Sequence, residues 1–216
     1  MKKLFAILSA FMLTMTSYAQ DGNVGEFTVQ PMASFTSTSP LNFSYELGAI
    51  GEMKKQASYG FSLGADLGYR VSTVFYPTVG LHFIQSRVKY DLDYKSSYYD
   101  GQITTNNIAI PILANFNISG LRLGVGIQPT INVGKSSNYL DAVAKTIKNT
   151  TIAIPVVLGY ELSNGITFEY RFAYDVTKSV DYKSTGLIID PIQAPIATLK
   201  TNNLTNMLTI GYKFKL

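Results

Sequence analysis

From Ala57 to Val71 the odd positions read Ala, Tyr, Phe, Leu, Ala, Leu, Tyr, Val and the even ones Ser, Gly, Ser, Gly, Asp, Gly, Arg. A period of two held over that length describes a β-strand with one apolar and one small, polar face. The C-terminal segment repeats it, with Leu208, Ile210, Tyr212, Phe214 and Leu216 set against Met207, Thr209, Gly211, Lys213 and Lys215. Six further segments alternate in the same way: Phe27 to Phe35, Phe75 to Phe83, Ile108 to Ile118, Leu121 to Ile131, Ile152 to Leu162 and Ile166 to Val176. Eight strands are predicted, each long enough to cross a bilayer when tilted.

The connections alternate between short and long. Ser119-Gly120 joins Ile118 to Leu121, and Ser163-Asn164-Gly165 joins Leu162 to Ile166, with Gly165 where a three-residue hairpin takes a left-handed residue. The joint between Val71 and Phe75 is also short, and the other four are long: about Ser37 to Gln56, Ser86 to Gly101, Gly134 to Asn149 and Thr177 to Asn202. Short turns on one rim and long loops on the other predict an all-β fold, an eight-stranded antiparallel up-and-down transmembrane β-barrel with short periplasmic turns and long extracellular loops. Pro31, Pro77, Pro111, Pro129 and Pro155 interrupt the pattern, and each is expected to mark a bulge or bend, because proline cannot donate a ladder hydrogen bond.

Alternation alone does not say which face meets lipid. A soluble barrel with its apolar face inside would need Lys and Glu outside, whereas the second face is mostly Gly, Ser, Thr and Asn, residues suited to the cramped lumen of eight strands. Charged residues make up 15% of the chain, with 15 Tyr and 12 Phe, against roughly 25% charged in soluble domains. Aromatics near the strand ends (Tyr69, Phe75, Phe116, Tyr160, Phe168 and Phe214 at one rim, Phe35, Tyr59, Phe83 and Tyr174 towards the other) fit interfacial girdles. The polar phase carries Asp66, Arg70, His82, Glu169, Arg171 and Lys213. Pointing inward, these charges must pair, so a lumen ion-pair network is expected, forming a polar plug in preference to a narrow ion path.

Lys2 and Lys3, an apolar run from Leu4 to about Thr16 and Ser17-Tyr18-Ala19 have the order of a signal peptide. Residues 1–19 are expected to be removed and residues 20–216 to form one domain. Removing Lys2 and Lys3 lowers the formal charge of +4 by two, which is no nucleic-acid signature. With no cysteine, disulfides and thiolate metal sites are excluded.

The segments Asn107-Ile-Ala-Ile-Pro-Ile-Leu-Ala-Asn-Phe116, Gly80-Leu-His-Phe83, Leu158-Gly-Tyr-Glu161 and Leu208-Thr-Ile-Gly-Tyr-Lys-Phe214 resemble the PorT-like family of small outer-membrane barrels. Its members are similar to the eight-stranded OmpA and OmpX barrels. The resemblance implies a bacterial outer-membrane location, with outer-membrane lipid and the barrel-assembly machinery as partners. It implies no activity.

No enzyme is expected. His82 is the only histidine, and Ser86, four residues on, would lie roughly 13 Å away along a strand, far beyond nucleophile-to-base reach. Asp91, Asp93 and Asp100 read as a solvated loop, so neither metal nor cofactor is expected. Function should then sit on the loops, as on other rigid scaffolds. Val88, Tyr90, Leu92 and Tyr94 alternate with charges, implying that the strand pair runs beyond the bilayer after a bulge between Phe83 and Val88. Tyr139, Leu140, Val143, Ala144 and Ile147 have the spacing of a short amphipathic helix on the rim. Gly186 to Ile196 is unusually apolar and suggests either a contact site or a lid folded into the mouth, with the lid favoured; its use in a ten-stranded barrel stays open. Tyr90, Tyr94, Tyr98, Tyr99, Leu187, Ile188, Ile189 and Ile192 form the candidate contact surface for a surface protein or glycan. The function expected is a structural or surface-interaction scaffold; a narrow pore or small-solute transporter is the alternative, and a lipid-modifying enzyme is a more remote one.

Overall fold

The computed structural model describes residues 24–47, 52–94, 97–138, 144–189 and 194–216. The expected leader therefore lies outside the described residues. Strands β1 (Phe27–Leu47), β2 (Glu52–Tyr69) and β3 (Phe75–Tyr94) are followed by β4 (Ser97–Ala109) and β5 (Ile112–Ile118). Next come β6 (Leu121–Asn138), β7 (Thr150–Glu161), β8 (Ile166–Asp175), β9 (Val180–Ile189), β10 (Ala194–Tyr212) and β11 (Phe214–Lys215).

These strands make eight staves, because three staves are each broken once. β4 and β5 pair in turn with β3 and β6, β8 and β9 lie end to end along β10, and β11 continues β10 against β1. β1 pairs with β2 on one side and β10 on the other, which closes the sheet into an eight-stranded antiparallel barrel. The segment from Gly186 to Ile196 adds no ninth or tenth stave: Leu187 pairs with Ile196, and Ile196 with Leu47, so its paired residues continue the existing wall. A closed ladder of this kind is how strands satisfy their backbone groups in lipid.

The faces are those expected of a membrane barrel. Leu208 (64% exposed), Leu81 (61%) and Ile127 (52%) lie on the outer surface, whereas Asp66 (2%), Arg122 (2%) and Glu169 (4%) are inside. Rings pair near both rims, Phe27 with Tyr69 (centroids 4.7 Å apart) and Phe75 with Phe116 (5.4 Å) at one, Phe35 with Tyr59 (5.2 Å) and Phe61 with Phe83 (6.0 Å) towards the other.

The prolines act differently from the expectation. Register shifts fall between Ala57 and Phe61, Asn106 and Asn107, Leu41 and Ser44, Glu46 and Leu47, and Ile196 and Thr198, none of them at the five strand prolines. Pro111 instead opens a gap between β4 and β5, and register is the same on both sides: Ala109 pairs with Thr130 and Ile112 with Ile127. A missing N–H deletes a rung without adding a residue. The expected bulge in β3 is also absent, since β3 pairs without interruption from His82–Ala109 to Tyr94–Ser97. The extra residue lies across from it, in β2.

Three of the four expected long loops are largely strand. β1, pairing with β10, and β2, pairing with β3, run on past the apolar belt, as do the hairpins of β3 with β4 and β9 with β10, and on β3 the polarity of the faces inverts. Among the described side chains of β3, Phe83 is the last outward aromatic; Arg87 faces out and Val88 faces the lumen beside Ile103. Beyond lipid the outer face meets water, so one continuous strand exchanges its apolar side.

The Ser119-Gly120 turn has φ of 51° and 84°, both left-handed, and Gly165 has φ of 88°. Ser119 is the non-glycine residue that bears this strain. Ser119→Asn is expected to stabilise the barrel by up to about 1 kcal/mol, since Asn tolerates the left-handed region that a two-residue hairpin needs. Urea unfolding in detergent micelles, followed by tyrosine fluorescence, measures the difference.

Candidate functional site

The lumen is stacked in tiers. At mid-barrel, Arg171 of β8 donates from Nε to Glu169 Oε2 (2.6 Å) and from Nη2 to Asp66 Oδ2 of β2 (2.8 Å). Arg122 of β6 donates to Glu169, to Gln30 Oε1 (3.2 Å) and to Asn115 Oδ1 (2.9 Å). Gln30 of β1 donates to Glu169 Oε1 (2.8 Å) and Thr167 Oγ1 (2.9 Å). His82 Nε2 of β3 lies 2.7 Å from Asp66 Oδ1. Two carboxylates and two guanidiniums thus alternate across the barrel and bind opposite walls together. Room for the His82 ring comes from Gly64, where a Cβ would stand 2.6 Å from His82 Cγ, and from Gly80, where it would stand 2.8 Å from Nε2.

Nearer the short turns lies a second tier built around Tyr76, which is 2% exposed. Lys213 Nζ stands 4.8 Å from its ring centroid, and the Arg70 and Arg122 guanidinium carbons each stand 5.5 Å away. Lys213 also pairs with Glu161, which accepts from Asn117 Nδ2 at 3.3 Å. Arg70 Nη1 donates to the Thr73 carbonyl at 2.9 Å.

The six lumen residues predicted from phase are all buried inside, but they divide. Asp66, His82, Glu169 and Arg171 share the upper network, while Arg70 and Lys213 belong to the Tyr76 tier. Sequence reasoning missed Gln30, Tyr76, Asn115, Arg122 and Glu161. The signal was present, since Arg122 alternates with Leu121 and Leu123 as strictly as Asp66 does with its neighbours.

Above the charges the lumen turns apolar. Ile84, Ala109 and Met207 form one buried cluster, and Leu113 and Val157 are 2% and 1% exposed. The void between this layer and the ion network is about 10 Å³, room for about one water. His82 and Ser86 stand on opposite sides of this layer and have different partners, Asp66 for the imidazole and Thr38 Oγ1 (3.2 Å) for the hydroxyl.

Higher still lies a cavity of about 90 Å³, whose described lining takes Ile147 and Lys148 from the third long connection and Ser179, Val180 and Thr201 from the fourth. Ile147 bridges Val180, Lys148 N donates to Ser179 O (2.9 Å), and Lys135 Nζ donates to the carbonyls of Lys145 (3.4 Å) and Ile147 (3.2 Å). The register shift after Asn106 turns Lys135 to the side of Thr105, which lines the cavity. Of the expected rim helix, Tyr139, Leu140 and Val143 lie outside the described residues, while Ala144 is buried and Ile147 lines the cavity.

The candidate loop surface sits on hairpin ladders. Tyr90 pairs with Gly101, Tyr94 with Ser97, Tyr98 with Asp93, Tyr99 with Leu92, Leu187 with Ile196, Ile188 with Pro195 and Ile189 with Ala194. Ile192, and the side chains of the other seven, lie outside the described residues.

A closed barrel with a lipid-facing apolar belt and a salt-bridged lumen defines an integral outer-membrane barrel. Residues 18–181 match the family model of the outer membrane protein beta-barrel domain, and the chain belongs to that family, which locates it in bacterial outer-membrane lipid. Among solved structures it is similar to the outer membrane protein OprG from Pseudomonas aeruginosa, at 13% identity over 88% of this chain and 96% of that one, with a TM-score of 0.54. It is also similar to Neisserial surface protein A (14%, 88% and 97%, TM-score 0.43). The attachment invasion locus protein Ail of Yersinia pestis is a third (12%, 89% and 100%, TM-score 0.42). At these identities the likeness is one of fold. A comparison with curated proteins finds no match.

Glu169 contacts both guanidiniums, so Glu169→Leu leaves Arg122 and Arg171 to share Asp66 as their carboxylate. Removing one partner of a buried pair costs about 3–5 kcal/mol, and a loss of that size is expected in urea unfolding in micelles. A loss below about 1 kcal/mol would contradict the assignment of the network as the structural centre of the lumen.

Proposed function

We propose that this protein is a sealed outer-membrane scaffold whose extended hairpins are its surface-interaction parts. The observation that carries this reading is the double seal, a salt-bridged tier capped by an apolar layer, with a void of about 10 Å³ between them. An ion following the barrel axis would have to displace paired charges and then pass an apolar constriction, which gates by dewetting. Neither step is compensated in an eight-stranded barrel already filled by side chains.

In this reading the leader is cleaved after Ala19, the barrel-assembly machinery inserts the chain, the short turns face the periplasm and the long hairpins face outward. The hairpins carrying Tyr90, Tyr94, Tyr98 and Tyr99, and Leu187, Ile188, Ile189 and Ile192, then present the contact surface for a protein or glycan. The PorT-like resemblance supports location and fold in the same reading and adds no activity. No catalytic role is assigned.

Planar-bilayer recording of the purified protein tests the seal. The expected result is no unitary conductance in 1 M KCl, an order-of-magnitude choice of roughly physiological salt times seven that leaves little electrostatic screening length. Stable single-channel steps would overturn the sealed scaffold in favour of a narrow pore.

A further inference from the structure

Above the apolar layer the inward side chains shorten from Arg and Glu to Thr, Ser and Asn, which cannot meet across the barrel. The cavity left has walls that include Thr38, Ser86, Thr105, Asn107, Thr130 and Thr205, with Ile147 and Lys148 on the β7 side, and a floor of Ile84, Ala173 and Met207. We propose that this vestibule binds a small uncharged polyol the size of one sugar ring.

Size is the first argument. A void of about 90 Å³, at about 10–15 Å³ for each water, holds roughly six to nine waters. That is comparable to the displacement volume of a single monosaccharide.

Chemistry is the second. Hydroxyls and amides both donate and accept, as sugar hydroxyls do, and each wall hydroxyl has spare lone pairs beyond its present partner. Thr38 Oγ1, for example, bonds Ser86 Oγ (3.2 Å) and Thr205 Oγ1 (3.3 Å). The floor is apolar, which suits the C–H face of a ring. Polar groups converging over an apolar base are the usual composition of a small-molecule site.

Charge is the third. Among the described residues the lining carries one acid and one base, Asp175 and Lys148. The Asp175 carboxylate accepts from Ser179 Oγ at 2.7 Å, and Lys148 is exposed. One formal charge of each sign leaves this lining without net charge, which favours an uncharged solute over an ion that must shed its hydration.

Lys135 of β6 donates to the carbonyls of Lys145 and Ile147, and Val180 and Ser179 pair with Ile147 and Lys148 from the neighbouring stave, so this segment prolongs the β7 stave as part of the cavity wall. This inference goes beyond the scaffold reading and stands apart from it: a conducting barrel would sink the seal and leave the vestibule intact.

The test is NMR of the full-length barrel in detergent micelles with ¹³C-methyl methionine, titrated with D-glucose, D-galactose, potassium acetate and n-octane. Met207 lines the cavity, whereas Met32 does not. The expected result is a saturable shift of the Met207 methyl alone with at least one hexose. Ala173→Phe, which fills the floor, should abolish it, and Thr205→Val should weaken it about fivefold, the worth of one hydrogen bond. Should Ala173→Phe fail to fold, Thr205→Val decides. No saturable response to either hexose, a response unchanged in the variants, or a stronger response to acetate or octane would overturn the proposal.

Discussion

Lipid offers no partner to a backbone N–H or C=O, so a chain that crosses it as strands must close its own ladder. Most of the structure follows from that constraint. Closure with eight staves fixes a lumen too narrow for water columns but wide enough for side chains, and each polar residue on the inner phase is thereby buried. Buried charges are tolerated when paired, which is why Asp66, Glu169, Arg122 and Arg171 alternate in sign across the barrel. Tyr76 provides a similar accommodation for the cations near the short turns, where its ring face receives Lys213, Arg70 and Arg122.

The same constraint ends where the bilayer ends. Once Phe83 is passed, β3 still pairs with β4 but has water outside, so Arg87 takes the outer face and Val88 the inner one. The lumen records this change as a sequence of tiers: charge, then an apolar layer around Met207, then a hydroxylated vestibule. Each tier follows from what the wall outside it permits and from how far the inward side chains reach.

The barrel and the outward direction of its apolar face were legible in the sequence because period-two alternation is a local property. So were Asp66, His82, Glu169 and Arg171, which stand out as charges on a polar phase. Arg122 obeyed the same rule and was overlooked, and Tyr76 was masked by Phe75 beside it. The apolar layer was not legible, since Ile84 and Met207 break the alternation and read as noise until three staves bring them together with Ala109. The hairpin extensions were missed for a related reason: with the polarity inverted beyond the belt, Ser37, Ser86 and Gly134 mark the edge of lipid, and the strands continue past them. Prolines misled because sequence shows the lost donor but not whether a rung or a register is lost with it.

The cross-lumen ion pairs also bear on how the barrel forms. Arg171 and Asp66 are 105 positions apart in the chain, and Gln30 on the first stave meets Glu169 on the seventh. An open sheet, however complete its ladder, leaves these groups facing lipid or water singly. Bringing the first and last staves together satisfies them in one step, so the interior rewards only the finished circle. The charges that plug the barrel therefore make its closure cooperative, and they penalise every partly zipped intermediate that precedes it.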